Sequence, residues 1–224
     1  MLEMKAMILA AGRGERLRPL TDEIPKPLIK VAGKSLIEYH LLNLADAGFK
    51  EIVINTAWLA ETIHQQLGDG ENYGVKIQYS DESEALETAG GIINALPLLG
   101  ADPFLVVNGD IWCDFDFATL PTLNGSIQAH LVLIRNPEHN QQGDFSLLDN
   151  QIVNSGKSMH TFSGIGIYNS DFFAEQQAGS IPLAPIIRHK AKDNLVSGQL
   201  YDGLWTDVGT IERLNILEKQ LNNN

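Results

Sequence analysis

Three groups of residues in this chain carry the atoms that phosphate chemistry needs. The first is Ala11-Gly12-Arg13-Gly14-Glu15-Arg16, which closes an apolar run begun at Ala6. Small residues and glycines let backbone N–H groups approach a phosphate closely, and Arg16 adds charge. The second is Pro25-Lys26-Pro27. Two prolines fix the backbone on either side of one lysine. A rigidly held lysine beside Arg16 can neutralise a reacting triphosphate. A solvated basic loop is the bland alternative, and Gly-x-Gly alone does not decide between them. The preceding apolar run, Arg16 and the Pro-Lys-Pro together favour the phosphate. The third group is a pair of aspartates, Asp110 and Asp207. Hard Mg²⁺ takes one or two carboxylates plus phosphate oxygens and water. Spacing leaves open whether the two meet. Asp110 also reads as a turn residue after Gly109, and Asp207 as an approach to a helix N-terminus.

Other chemistries fit less well. A dinucleotide fingerprint wants a third glycine where Leu17 stands, and an acidic residue where Val31-Ala32-Gly33 offers none. No Gly-Lys-Ser/Thr follows the loop, so it is not a Walker motif. The six histidines lack zinc-ligand spacing. Cys113 reads as a small buried hydrophobe, and Asp114 and Asp116 as solvated or capping residues.

The elements that must position these groups alternate. Residues 6–11, 52–54 and 104–107 are apolar at every position, as in strands buried on both faces of a parallel sheet. Ser35-Leu36-Ile37-Glu38 reads as a capping box opening a helix that Gly48 closes. A second helix is expected over 58–67 and a strand over 75–79. The second half is expected to be richer in strands: 129–134, a hairpin over 145–153 turning at Asp149-Asn150, and 162–168. Ile211, Leu214, Leu217 and Leu221 form an apolar stripe on a final helix. This pattern is α/β: a Rossmann-like, mixed but mainly parallel sheet covered by helices, with ligands at the carboxyl ends of the strands.

Composition sets the class of partner. Lysine plus arginine number 16 against 28 aspartate plus glutamate, a formal charge of −12. Such a surface repels nucleic-acid backbones and anionic membranes, so neither is an expected partner. Arg13, Arg16, Arg18, Lys26 and Lys30 nevertheless crowd one short segment, a positive island suited to a small anionic ligand. One cysteine permits no intrachain disulfide. No run has the length of a membrane span, and the opening residues are too short and wrongly flanked for a signal peptide, so a cytoplasmic protein is expected. Met4 is an alternative start to Met1, and the tail Asn222-Asn223-Asn224 is expected to fray.

Residues 9–21 together with Pro25-Lys26-Pro27-Leu28 resemble the nucleotidyltransferase family that makes nucleoside-diphosphate sugars, and the likeness extends over essentially the whole chain. Three strings narrow it: Leu86-Glu87-Thr88-Ala89-Gly90-Gly91-Ile92, Asn108-Gly109-Asp110-Ile111-Trp112 and Trp205-Thr206-Asp207-Val208-Gly209-Thr210. They are most similar to the bacterial branch whose acceptor is N-acetylmuramate 1-phosphate, in cell-wall sugar recycling.

The resemblance implies a nucleotide-diphospho-sugar transferase fold in a single domain over 1–224, with 1–125 mainly binding nucleotide and 126–224 mainly binding sugar phosphate. It implies an enzyme that takes UTP and a sugar 1-phosphate as substrates. It implies that Asp110 and Asp207 meet to hold Mg²⁺, and that Arg16, Lys26 and Asp110 are catalytic. It places the nucleotide on Ala11, Gly12, Arg13, Gly14, Glu15, Arg16 and Lys26, with Glu82, Glu87, Thr88 and Gly90 near the base. Asn108 would fix ribose or sugar hydroxyls. Gly143, Asp144, Ser163 and Gly164 would hold the sugar phosphate. The Glu-Lys-Pro of many relatives is missing near 152–157, which leaves Lys157 and Arg135 as candidates for a second phosphate-holding cation. The alternatives are a guanylyl- or thymidylyltransferase acting on a hexose 1-phosphate, and a non-catalytic nucleotide-sugar-binding regulator. No appended acyltransferase domain is expected after the final helix.

Overall fold

A computed structural model describes residues 4–222. Met1 to Glu3 and the last two residues of the expected frayed tail lie outside the described residues, as does the choice of start at Met1. Met4 itself packs against the core.

The chain order is β1 (Ala6–Leu9), α1 (Leu20–Glu23), β2 (Lys30–Val31), β3 (Lys34–Ser35), α2 (Leu36–Asp46), β4 (Glu51–Thr56), α3 (Ala60–Leu67), β5 (Lys76–Asp81), α4 (Glu87–Leu99), β6 (Phe104–Asn108) and β7 (Ile111–Cys113). It continues with β8 (Ala129–Ile134), β9 (Phe145–Leu148), β10 (Gln151–Val153), β11 (Met159–Tyr168), α5 (Leu183–Lys192), β12 (Val196–Tyr201), β13 (Trp205–Asp207) and α6 (Ile211–Asn222). Nine strands form one sheet in the order β5-β4-β1-β6-β11-β8-β12-β10-β9. β5, β4, β1 and β6 run parallel, β11 runs against both β6 and β8, and β12 is parallel to β8.

The apolar runs become strands because both faces are covered. Along β1, Ala6 and Ile8 point into a core beneath α2 and α3, while Met7 points into a core beneath α4 and α5. Full burial of each such Leu, Ile or Phe side chain is worth about 1.5–3 kcal/mol. The capping box forms: the Ser35 N–H donates to Glu38 Oε2 at 2.8 Å, and Gly48 follows α2 with φ +95°. The hairpin turns at Asp149 and Asn150, both at positive φ, as a tight two-residue turn requires.

Several expectations need correction. The second helix begins at Ala60, not Trp58. Ile211 is exposed, so the inner stripe of α6 is Leu214, Leu217 and Leu221 packed over Val31, Leu36 and Val208. The second half also carries a full helix, α5, whose Leu183, Ile186, Ile187 and Ala191 cover the sheet. The last segment returns to the first half: β13 pairs with β7 and α6 packs on β2.

Candidate active site

From β1 the chain passes to β4 on one side and returns with β6 on the other. Where the strand order reverses in this way, the carboxyl ends of neighbouring strands splay and leave a crevice. A cleft of about 470 Å³ opens there. Ala10, Ala11, Gly12, Gly14, Glu15 and Arg16 from the loop after β1 line it. Lys26, Asn55, Glu82, Leu86, Glu87, Thr88, Asn108, Gly109, Asp110 and Gly209 complete the walls.

Each wall is fixed by the ends of buried strands. The Leu9 carbonyl accepts from Gly109 N–H at 2.9 Å, and a Cβ at position 109 would stand 2.6 Å from that oxygen, so the approach needs glycine. Gly14 is left-handed (φ +69°), and a Cβ there would lie 3.0–3.1 Å from Thr21 and Lys26 carbons. The absent side chain lets the Lys26 stem pack against the loop. Thr21 Oγ1 closes the loop by donating to the Gly14 carbonyl at 2.9 Å.

Lys26 is only 7% exposed. Its ammonium meets Asp110 Oδ2 at 2.6 Å, as a buried cation must meet an anion. The Asp110 carboxylate is 40% exposed on the cleft side. His40 anchors the strand that follows: its Nε2–H donates to the Ile111 carbonyl at 2.8 Å. Burial lowers the His40 pKa to about 4, so the ring is neutral. Burial also pushes the Cys113 thiol up to about 11, which leaves it unreactive.

Asp207 arrives from the other end of the chain. β13 places it opposite Ile111, and Val208 N–H donates to the Asp110 carbonyl at 2.8 Å. The ladder thus joins the two segments that carry Asp110 and Asp207. Asp207 Oδ1 takes Arg213 Nη1 at 2.6 Å and His139 Nε2 at 3.1 Å. Among the described residues, Asp110 Oδ1 and Asp207 Oδ2 have no hydrogen-bond partner. Two hard, unshared carboxylate oxygens near the glycine-rich loop suit a divalent cation that takes its remaining ligands from phosphate and water.

A family model described as nucleotidyl transferase matches residues 5–224. The chain belongs to the nucleotidyl transferase family. A Neisseria meningitidis protein named N-acetylmuramate alpha-1-phosphate uridylyltransferase is 58% identical over 221 residues, 94% of this chain and 95% of that one. A Caulobacter vibrioides protein of the same name is 34% identical over 91% of each chain. A solved Bacillus anthracis structure, described as a candidate glucose-1-phosphate thymidylyltransferase in complex with sucrose, superposes with a TM-score of 0.87. It is 24% identical and covers 99% of this chain and 96% of its own, a likeness of fold. The family read from the motifs is thus the family the chain belongs to.

Within this nucleotidyl transferase, not every expected residue reaches the cleft. Ala11, Gly12, Gly14, Glu15, Arg16, Lys26, Glu82, Thr88, Asn108 and Asp110 line it. Arg13 does not: its guanidinium lies over the Trp58 ring, 4.2 Å from the centroid. Gly90 is buried inside α4, where a Cβ would overlap the Gly179 carbonyl, so it is a packing position. Glu82 lines the wall, but its carboxylate is already occupied. Oε1 accepts from Asn55 Nδ2 at 2.7 Å and Oε2 from Leu86 N–H at 3.0 Å.

The expected sugar-phosphate residues are also drawn into the scaffold. Asp144 accepts from Phe162 N–H at 2.8 Å and from Asn140 at 3.2 Å. Ser163 is buried, donating to the Val132 carbonyl at 2.7 Å. Gly143 makes room for Asn136, and Gly164 for Asn108, whose amide nitrogen would lie 2.6 Å from a Cβ. None of the four lines the cleft, and Gly164 acts only by seating Asn108. Arg135 pairs with Asp202 on the surface, and Lys157 is exposed away from the cleft lining. Asp116 caps a short helical turn through Ala118 N–H, and Asp114 accepts from Leu204 N–H and the Tyr201 hydroxyl.

Sequence reasoning missed Asn55, His139 and Arg213. Asn55 had a signal: it ends an apolar strand as Asn108 does, with its Oδ1 accepting from Ala10 N–H at 2.8 Å. Arg213 lies only six residues beyond Asp207, at the start of the final helix, whereas His139 reaches Asp207 from a distant segment that no local motif spans.

Proposed function

We propose that the protein transfers UMP from UTP to N-acetylmuramate 1-phosphate, releasing pyrophosphate. The observation that carries this is that Arg16, Lys26 and Asp110 line one cleft at the switch point of the sheet, with Asp207 held beside it by the pairing of β13 with β7. The names of the Neisseria and Caulobacter relatives supply the donor and acceptor.

The acceptor phosphate is already an anion, so no general base is needed. It attacks the α-phosphorus of UTP in line, the bond to the bridging oxygen breaks, and pyrophosphate leaves. Catalysis is then positioning and charge stabilisation. The loop from Ala11 to Arg16 offers backbone N–H groups to the phosphates. Lys26, already stripped of water, acts more strongly on phosphoryl charge than a solvated lysine would. Asp110 and Asp207 would hold Mg²⁺, which neutralises phosphate charge and orients the reactants when bound.

Both oxygens of Glu82 accept internal hydrogen bonds, from Asn55 and Leu86, and the choice of uracil rests on the names of the relatives. The backbone near Leu86 to Thr88 is left to read a base with one donor between two acceptors. Cytoplasmic operation, where nucleoside triphosphates are available, belongs to the same proposal.

UTP radiolabelled at the α-phosphate tests the reaction. The label is expected in the nucleotide sugar, and label from the γ-phosphate in pyrophosphate. Transfer of the γ-label to the sugar would overturn the assignment.

A further inference from the structure

The two side chains on Asp207 Oδ1 come from separate segments. Arg213 stands in the first turn of α6, with its side chain 17% exposed. His139 stands at the crest of the 136–144 loop, which belongs to the strand-rich half. A closed amide network holds that loop. Asn136 Nδ2 donates to the carbonyls of Gln141 (3.1 Å) and Met159 (3.0 Å). Asn140 Nδ2 donates to Asp144 Oδ1 (3.2 Å) and Thr161 Oγ1 (3.1 Å), and Thr161 Oγ1 donates to Asn136 Oδ1 (3.0 Å). His139 is therefore presented by a braced loop.

Both side chains meet the same oxygen, Oδ1. The other oxygen looks toward Gly209, where a Cβ would meet Arg213 Nη2 first and stand 3.0 Å from Asp207 Oδ2 and 3.1 Å from Arg16 Nη2. Gly209 lines the cleft. Oδ1 is thus tied back by two side chains, while Oδ2 shares a space with Arg16 and with the second guanidinium nitrogen of Arg213.

We propose that Arg213 and His139 are positioning residues that lock Oδ1 of Asp207 and so present Oδ2 to the divalent cation. The inference rests on the metal-dependent nucleotidyl-transfer reading above. It adds that the carboxylate is aimed by groups outside the cleft motifs, one of them carried by the strand-rich half. Such outer partners fix the orientation and ionisation of a ligand, and their loss typically weakens metal binding about 10–100-fold.

Mn²⁺ alone, titrated against the protein and followed by electron paramagnetic resonance, reads this directly. Arg213→Met is expected to raise the Mn²⁺ dissociation constant about tenfold or more. Arg213→Lys should restore most of the loss. His139→Ala, in an exposed loop that its removal need not unfold, should weaken binding severalfold. UTP binding in EDTA should stay within about twofold for all three. Unchanged or tighter Mn²⁺ binding in both Arg213→Met and His139→Ala would overturn the proposal, since the two side chains would then be competitors or bystanders. An equal loss of UTP binding in EDTA would also overturn it, making Arg213 a nucleotide ligand or scaffold. Asp207→Asn separates the two levels. If it leaves Mn²⁺ binding intact, the metal reading itself falls.

Discussion

Burying an ammonium group demands a partner, and Lys26 has one in Asp110. That pairing makes the residue testable apart from the fold, because Asp110 keeps solvent contact when the lysine is removed. Lys26→Met is expected to lower kcat by about 10²–10³, the range for losing one preorganised charge donor, with little change in melting temperature. Arg135→Ala is the control: its ion pair with Asp202 is fully on the surface, so its kcat should match the wild type. Stopped-flow pyrophosphate release and thermal melting check both. At this scale the sequence was most readable where the chemistry is local. Gly12 to Arg16 and Pro25-Lys26-Pro27 are contiguous, and their residue types declare their use. The internal hydrogen bonds of Glu82, Asp144 and Ser163 were not legible, because they depend on burial and, Leu86 apart, on groups of segments distant in sequence.

Between residues and molecule stand the elements, and α4 is the instructive one. Its sequence holds Gly90, Gly91 and Pro97, all unfavourable to a helix interior, so no helix was read there. The structure supplies the reason for one glycine. A Cβ at Gly91 would stand 2.7 Å from Glu82 Oε1 and 2.8 Å from Asn55 Nδ2. Gly91→Ala should therefore break the Asn55–Glu82 contact. It should cost about 1–3 kcal/mol in a urea melt and raise KM for UTP more than it lowers kcat. Unaltered KM with normal stability would mean that the brace does not shape the base wall. Buried strands such as β1, β4, β6 and β8 were legible because continuous apolar runs permit little else. α5 and β12 were not, since their patterns are short and polar-interrupted and depend on the sheet they cover.

At the scale of the whole molecule, the alternation of strand and helix carried the fold class, but not the return of β13 and α6 to the first half. That return is a long-range pairing, and it joins the segments that carry Asp110 and Asp207. Global stability should carry the mark of His40. Its folded pKa, about 4, lies below the ordinary value of 6.5. The unfolded chain therefore binds a proton that the folded chain refuses as pH falls between those values. Stability is unaffected above pH 6.5, declines through this window and levels off below about 4. His130, also lowered chiefly by burial, acts in the same direction. Urea melts at pH 7 and pH 5 should differ by about 2 kcal/mol from His40 alone, and His40→Gln should reduce that difference. An equal difference in the variant would assign the pH dependence elsewhere.

The central claim is that this cleft joins UMP to a muramyl sugar phosphate. The most direct measurement is pyrophosphate release with Mg²⁺, crossing UTP, GTP and dTTP against N-acetylmuramate, N-acetylglucosamine, glucose and mannose 1-phosphates. The account predicts a clear maximum in kcat/KM for UTP with N-acetylmuramate 1-phosphate. A maximum at GTP with mannose 1-phosphate, or at dTTP or UTP with glucose 1-phosphate, would contradict it.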